Sequence, residues 1–112
     1  MIDNMEEMLE RYRQLGERYA EAKSTREYLD EYKKTCLALL MRQAEKNNFT
    51  TAVSQEREAR ASDEYQKQLL ELKLAVHEEE KTRYHLKAFE IEIEVWRTKS
   101  ANERAERRAY GA

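Results

Sequence analysis

The chain has 112 residues, 39% of them charged, with 21 basic against 23 acidic side chains and a formal net charge of −2. That length bounds the answer to one domain, and the near balance of charge argues against an acidic DNA mimic and against a wholesale polyanion binder. With no proline and only Gly16 and Gly111, a compact fold of many tight turns is excluded, and the richness in Ala, Glu, Lys, Leu and Arg reads as long helices.

The first helix is expected over about 3–46. Asp3 with Glu6 has the spacing of a capping box, in which each side chain satisfies the other residue's backbone amide. Met5, Met8, Tyr12, Leu15, Tyr19, Ala22, Leu29, Cys36 and Leu40 then alternate three and four apart, and Arg26 and Lys33 fill the two gaps in register. Such an alternation is the seam of a coiled coil and must be covered by another helix. Ser24 with Glu27 offers a second cap, so a break near Lys23 competes with a continuous helix. The unbroken phase through Ala22, Arg26 and Leu29 favours continuity. Gly16 reads either as a tolerated weak spot or as a point of close helix approach.

Asn47, Asn48, Phe49, Thr50 and Thr51 are poor helix formers, and a turn is expected over about 47–53. A second helix follows over about 54–108. Its seam appears at Tyr65, Leu69, Leu72 and Val76, lapses over His77 to Arg83, and resumes in a new phase at Leu86, Phe89, Ile93 and Trp96.

Between Phe89 and Val95 apolar residues alternate strictly with Glu90, Glu92 and Glu94. Period two is a strand signature, but there is no flanking turn and no second strand to pair with. Read as a helix, the segment carries two stripes. Leu86, Phe89, Ile93 and Trp96 lie on one side, with Tyr84, Ala88, Ile91 and Val95 nearly opposite. A helix apolar on two sides needs two neighbours. The candidate interaction residues are therefore Tyr84, Ala88, Ile91, Val95 and Trp96.

Catalytic and metal chemistry finds no constellation. His77 and His85 flank Glu78, Glu79 and Glu80 but lack the four-residue spacing of a zinc-binding helix, and the stretch reads as a solvated charged face. Cys36, the single cysteine, sits in the seam as a small hydrophobe with no histidine placed to activate it. Adjacent carboxylates such as Glu6 and Glu7 point apart on a helix, and there is no glycine-rich phosphate loop. The seven tyrosines suit helix packing, a ring buried and a polar tip kept wet, better than base stacking in a basic groove. No cofactor, metal or small-molecule substrate is expected. The lone cysteine, the absence of a signal-peptide pattern and the shortness of every apolar run point to the cytoplasm and away from a membrane.

From Arg97 onward the charge changes sign. Arg97, Lys99, Arg104, Arg107 and Arg108 outnumber Glu103 and Glu106. Basic residues at a helix C-terminus complement its dipole; phosphate or acidic-partner contact is the sharper alternative. Ile93 to Tyr110, IEVWRTKSANERAERRAY, resembles the C-terminal segment of small uncharacterised phage and prophage helical accessory proteins, on Trp96-Arg97, Ser100-Ala101-Asn102, Arg104 and Arg107. The resemblance implies a setting among phage accessory genes near replication, recombination or defence evasion. It carries no activity and no site residues with it.

The expected fold is all-α: an antiparallel two-helix coiled-coil hairpin that self-associates into a helical bundle, because a lone hairpin of this kind has little interior. The expected function is non-enzymatic protein–protein interaction, a homo-oligomer that blocks, scaffolds or recruits a host or phage protein. The alternative is a nucleic-acid-binding accessory protein using the basic C-terminal segment.

Overall fold

The computed structural model describes residues 4–111. Among them the chain forms three α-helices and no strand: α1 (Met5–Lys46), α2 (Ala52–Ala61) and α3 (Asp63–Ala109). The strand alternative for Phe89 to Val95 is thereby removed. Those residues lie inside α3, where the apolar positions have helical neighbours and every backbone group stays in the helical ladder. No helix among the described residues is long and apolar enough to cross a membrane.

The expected cap at Asp3 lies outside the described residues. At the start of α1, the Asn4 side-chain oxygen accepts the Glu7 N–H at 2.8 Å, satisfying one of the orphan amides of the first turn. α1 runs unbroken through Lys23. Ser24 does not cap; its hydroxyl donates back to the Glu21 carbonyl at 3.3 Å. Nothing stands within 4 Å of a Cβ built on Gly16, so this glycine serves no close approach and is a weak spot in the helix.

α1 ends at the expected asparagines. Asn48 adopts φ 74°, the left-handed region that asparagine tolerates. The Asn48 N–H then reaches the Glu45 carbonyl at 3.2 Å and the Phe49 N–H reaches Ala44 at 3.1 Å. This pair of bonds is the Schellman termination, which satisfies two of the last carbonyls. Thr51 caps α2: its hydroxyl accepts the Ser54 N–H at 3.1 Å, and the Ser54 hydroxyl accepts the Thr51 N–H at 3.2 Å. A serine thus stands in the capping box where glutamate is usual.

The expected single second helix over 54–108 is corrected in two respects. It starts earlier, at Ala52, and it is divided at Ser62, whose backbone is extended at φ −69° and ψ 151°. The Ser62 hydroxyl accepts the Tyr65 N–H at 3.2 Å and donates to the Ala59 carbonyl at 2.7 Å. One side chain closes α2 and opens α3, and Asp63 and Glu64 supply the acidic first turn that a helix N-terminus favours.

Two compact units arise from these helices. One is formed by the chain up to Tyr19 together with the chain from Lys81 on; the other is Ala20–Glu80. In the Ala20–Glu80 unit the buried apolar side chains are small: Ala22, Cys36, Ala44, Ala59 and Ala75, with Tyr65 as the large exception. Small side chains let helices approach closely but return little burial energy each. The Arg60 guanidinium lies 5.8 Å from the Tyr65 ring centroid. Its hydrogen bond to Glu56 raises its pKa above the ordinary arginine value. Arg26 donates to Glu79 at 2.8 Å, and that bond likewise holds Arg26 above its ordinary value.

In the other unit the core is Met8, Thr82 and Phe89, with Leu15, Tyr19, Leu86, Ile93 and Trp96 half-buried. Phe89 is 2% exposed. The Tyr12 ring tilts against it at 6.3 Å and the Arg11 guanidinium lies 5.1 Å from its centroid. Aromatic and cationic neighbours of this kind add directional attraction to the area they bury.

The buried positions of α3 correct the expected lapse in its seam. Covered residues run Tyr65, Gln68, Leu72, Ala75, Glu79, Thr82, Leu86, Phe89, Ile93 and Trp96, alternating three and four apart without a change of phase. Val76, expected in the seam, is exposed; Ala75 takes the place. Glu79, expected on a solvated face, is 8% exposed. A carboxylate can be covered there because Arg26, in the matching stripe of α1, pairs with it.

Candidate interaction surface

Residues 81–109 of α3 present two faces of different character. Leu86, Phe89, Ile93 and Trp96 are covered or half-covered. On the opposite face Tyr84 is 70% exposed, Ile91 61% and Val95 50%. Ala88 stands between them, half-buried. At three- and four-residue spacing these four fall within a narrow arc of the helix, and Lys81 and Thr98 extend the same line. Isolated exposed apolar residues are ordinary on a protein surface. A line of them on one face of one helix is a contiguous patch, which makes this face the candidate surface.

Each edge of the line is charged. Lys87 and Glu94 border it on one side, where Ile91 and Val95 floor a shallow groove that continues to Thr98 and Lys99. His85 and Glu92 border it on the other. There a groove of about 410 Å3 is walled by Arg11, Gln14, Leu15 and Arg18 of α1 together with Ala88 and Phe89. The Tyr84 and His85 rings stand 6.0 Å apart, tilted by 58°. Glu94 accepts a hydrogen bond from Arg97 at 3.2 Å, and both side chains are well exposed.

Of the five residues expected to make partner contact, Tyr84, Ala88, Ile91 and Val95 share this face. Trp96 does not. It is half-buried on the covered side, lining a groove with Met5, Met8 and Ile93. Arg97, Lys99, Arg104, Arg107 and Arg108 are all exposed. Arg97 and Arg104 line the Trp96 groove, while Arg107 and Arg108 sit in the last turn of α3. Lys87, Glu94 and Thr98 belong to the surface and were missed from sequence, although the spacing that selects Ile91 and Val95 also selects Thr98.

Among the described residues, no cluster of three or more histidine, cysteine, aspartate or glutamate side chains is placed to hold a metal ion. The Cys36 thiol is free and buried. No protein-family model matches the chain, and neither does any curated protein or solved structure compared with it.

Proposed function

We propose that the chain is a non-enzymatic interaction module: an antiparallel coiled-coil hairpin that holds itself together through one stripe of α3 and offers the opposite stripe to another helix. Its activity is occupancy, blocking, scaffolding or recruiting a protein partner in the cytoplasm. The observation that carries this reading is the pairing of Phe89 at 2% exposure with Tyr84, Ile91 and Val95 at 70, 61 and 50% on the opposite side of the same helix. A helix with apolar side chains on both faces is only half satisfied by one neighbour.

Pairings within each unit support the antiparallel hairpin. Met8 shares a groove with Trp96, Tyr12 meets Phe89, and Arg18 shares a groove with His85, so ascending positions of α1 meet descending positions of α3. In the other unit Arg26 meets Glu79. If the resemblance of Ile93 to Tyr110 to phage accessory proteins holds, the candidate partners include a host enzyme, a defence component, or a phage recombination or packaging protein.

In-cell photo-crosslinking tests the reading. A photoreactive residue at position 91 should give a protein adduct, and one at position 34, exposed on α1 and not part of this stripe of α3, should not. Adducts at neither position, or equally at both, would sink it.

A further inference from the structure

We propose that the outer face of α3 from Lys81 to Thr98 recognises a second copy of this chain, with the two α3 helices antiparallel and Ala88 of each opposite Ile91 of the other. This rests on reading that face as an interface, and names its occupant.

The face has the layout of a second helical seam. Lys81, Tyr84, Ala88, Ile91, Val95 and Thr98 alternate three and four apart, and His85, Lys87, Glu92 and Glu94 occupy the bordering positions, all exposed. In an antiparallel pair, core residues meet in mixed layers and each border faces its own copy. With Ala88 against Ile91, the neighbouring layers set Tyr84 against Val95 and Lys81 against Thr98. Small meets large in the central layers, as a filled core requires.

The borders select this register. Lys87 meets Glu94 of the second copy on one side, and His85 meets Glu92 on the other, each contact repeated by the two-fold axis. A slip of one heptad one way sets Glu94 on Glu94 and Glu92 on Glu92. A slip the other way sets Lys87 on Lys87. Both slips place like charges together, which is how charged borders fix coiled-coil partner and register.

A parallel arrangement also pairs Lys87 with Glu92. It stacks Lys81 on Lys81 and Ala88 on Ala88, however, placing repulsion in one layer and a void in another. Antiparallel docking avoids both. The hydrogen bond from Arg97 to Glu94 does not compete seriously. It is an exposed pair, and a carboxylate has further acceptor sites for Lys87.

Sedimentation equilibrium on the full chain, over a range of protein concentrations at low salt, tests the proposal. The wild type should be a dimer. Lys87→Glu and Glu94→Lys should each weaken it by about tenfold, since each removes two attractive contacts and creates two repulsive ones. The double variant Lys87→Glu/Glu94→Lys should restore it, as should an equimolar mixture of the two single variants. Circular dichroism should show unchanged helix content throughout. For orientation, in a Cys36→Ala background, Tyr84→Cys should cross-link to Val95→Cys on mixing and not to itself. Self-cross-linking of Tyr84→Cys would overturn the antiparallel register. A wild type that stays monomeric at every concentration, or single variants no weaker than wild type, would overturn self-recognition. If position 91 then cross-links to a foreign protein, the interface reading survives and only its occupant is wrong.

Discussion

Arg26 and Glu79 show what a polar residue inside a seam does. Arg26 fills a core position of α1 with its side chain 26% exposed, and its aliphatic stem packs while the guanidinium seeks an acid. Glu79 meets it at 2.8 Å. Removing Glu79 takes away the closest acid and leaves Arg26 only the longer contacts to Glu27 and Asp30, each at 3.9 Å, whereas replacing both members by apolar residues removes the charge as well. Glu79→Ala should therefore lower the melting temperature clearly, and Arg26→Leu with Glu79→Leu should recover it to the wild-type value or above. Equal melting temperatures for Glu79→Ala and wild type would show that the pair contributes only as a solvated contact. Arg26 was legible in the sequence as a seam position; Glu79 was not. Its neighbours Glu78 and Glu80 made the stretch read as a charged surface, and a period counted on apolar residues passes over a buried carboxylate. The counterpart signal was present: one heptad beyond Leu72 and one before Leu86 both fall on Glu79. The same blindness exchanged Ala75 for Val76, since alanine is small enough to be ambiguous by type and only phase identifies it.

At the scale of the elements, the long helices were legible because their periodicity is sustained, and the turn because five consecutive residues disfavour helix. The break at Ser62 was not. Its flanks Ala59, Arg60 and Ala61 are good helix formers, and one serine carries both caps through its hydroxyl. Ser62→Ala should cost about 1 kcal/mol, the usual loss for an N-cap hydroxyl. Chemical denaturation measures it. A stability equal to wild type would mean that α2 and α3 fuse into one helix when the cap is removed. Gly16 makes the opposite prediction. A methyl group there meets nothing within 4 Å, so Gly16→Ala should gain about 1 kcal/mol from helix propensity alone. A loss would show that an open site is not the whole account of this glycine. The candidate surface was partly legible for a related reason. Tyr84, Ala88, Ile91 and Val95 obey one helical phase, while Trp96 belongs to the phase of Phe89 and lies on the covered side.

For the molecule as a whole, charge is distributed against its sum. The chain carries −2, yet the five basic residues from Arg97 onward face only Glu103 and Glu106. Every residue from Ala101 to Gly111 is exposed, and the covered stripe would continue there through Glu103 and Arg107, which are charged. This end is thus held mainly by its own helix, and its charge answers the helix dipole with Arg107 and Arg108 in the last turn. The nucleic-acid alternative demands more of it. Each phosphate neutralised on duplex DNA contributes a slope of about −0.9 in log affinity against log salt, so five phosphate contacts would give roughly −4.5. With two glutamates interleaved, we expect a slope shallower than about −3, reading fewer than about three net contacts. Replacing Arg104, Arg107 and Arg108 with Gln should abolish that weak binding. It should lower stability by no more than the dipole contribution, on the order of 0.3–1 kcal/mol. Fluorescence anisotropy with a duplex DNA over a salt series decides it. A slope near −4.5 that flattens in the triple variant, with the melting temperature unchanged, would make the basic end a phosphate-binding device and displace the protein-interaction reading from first place.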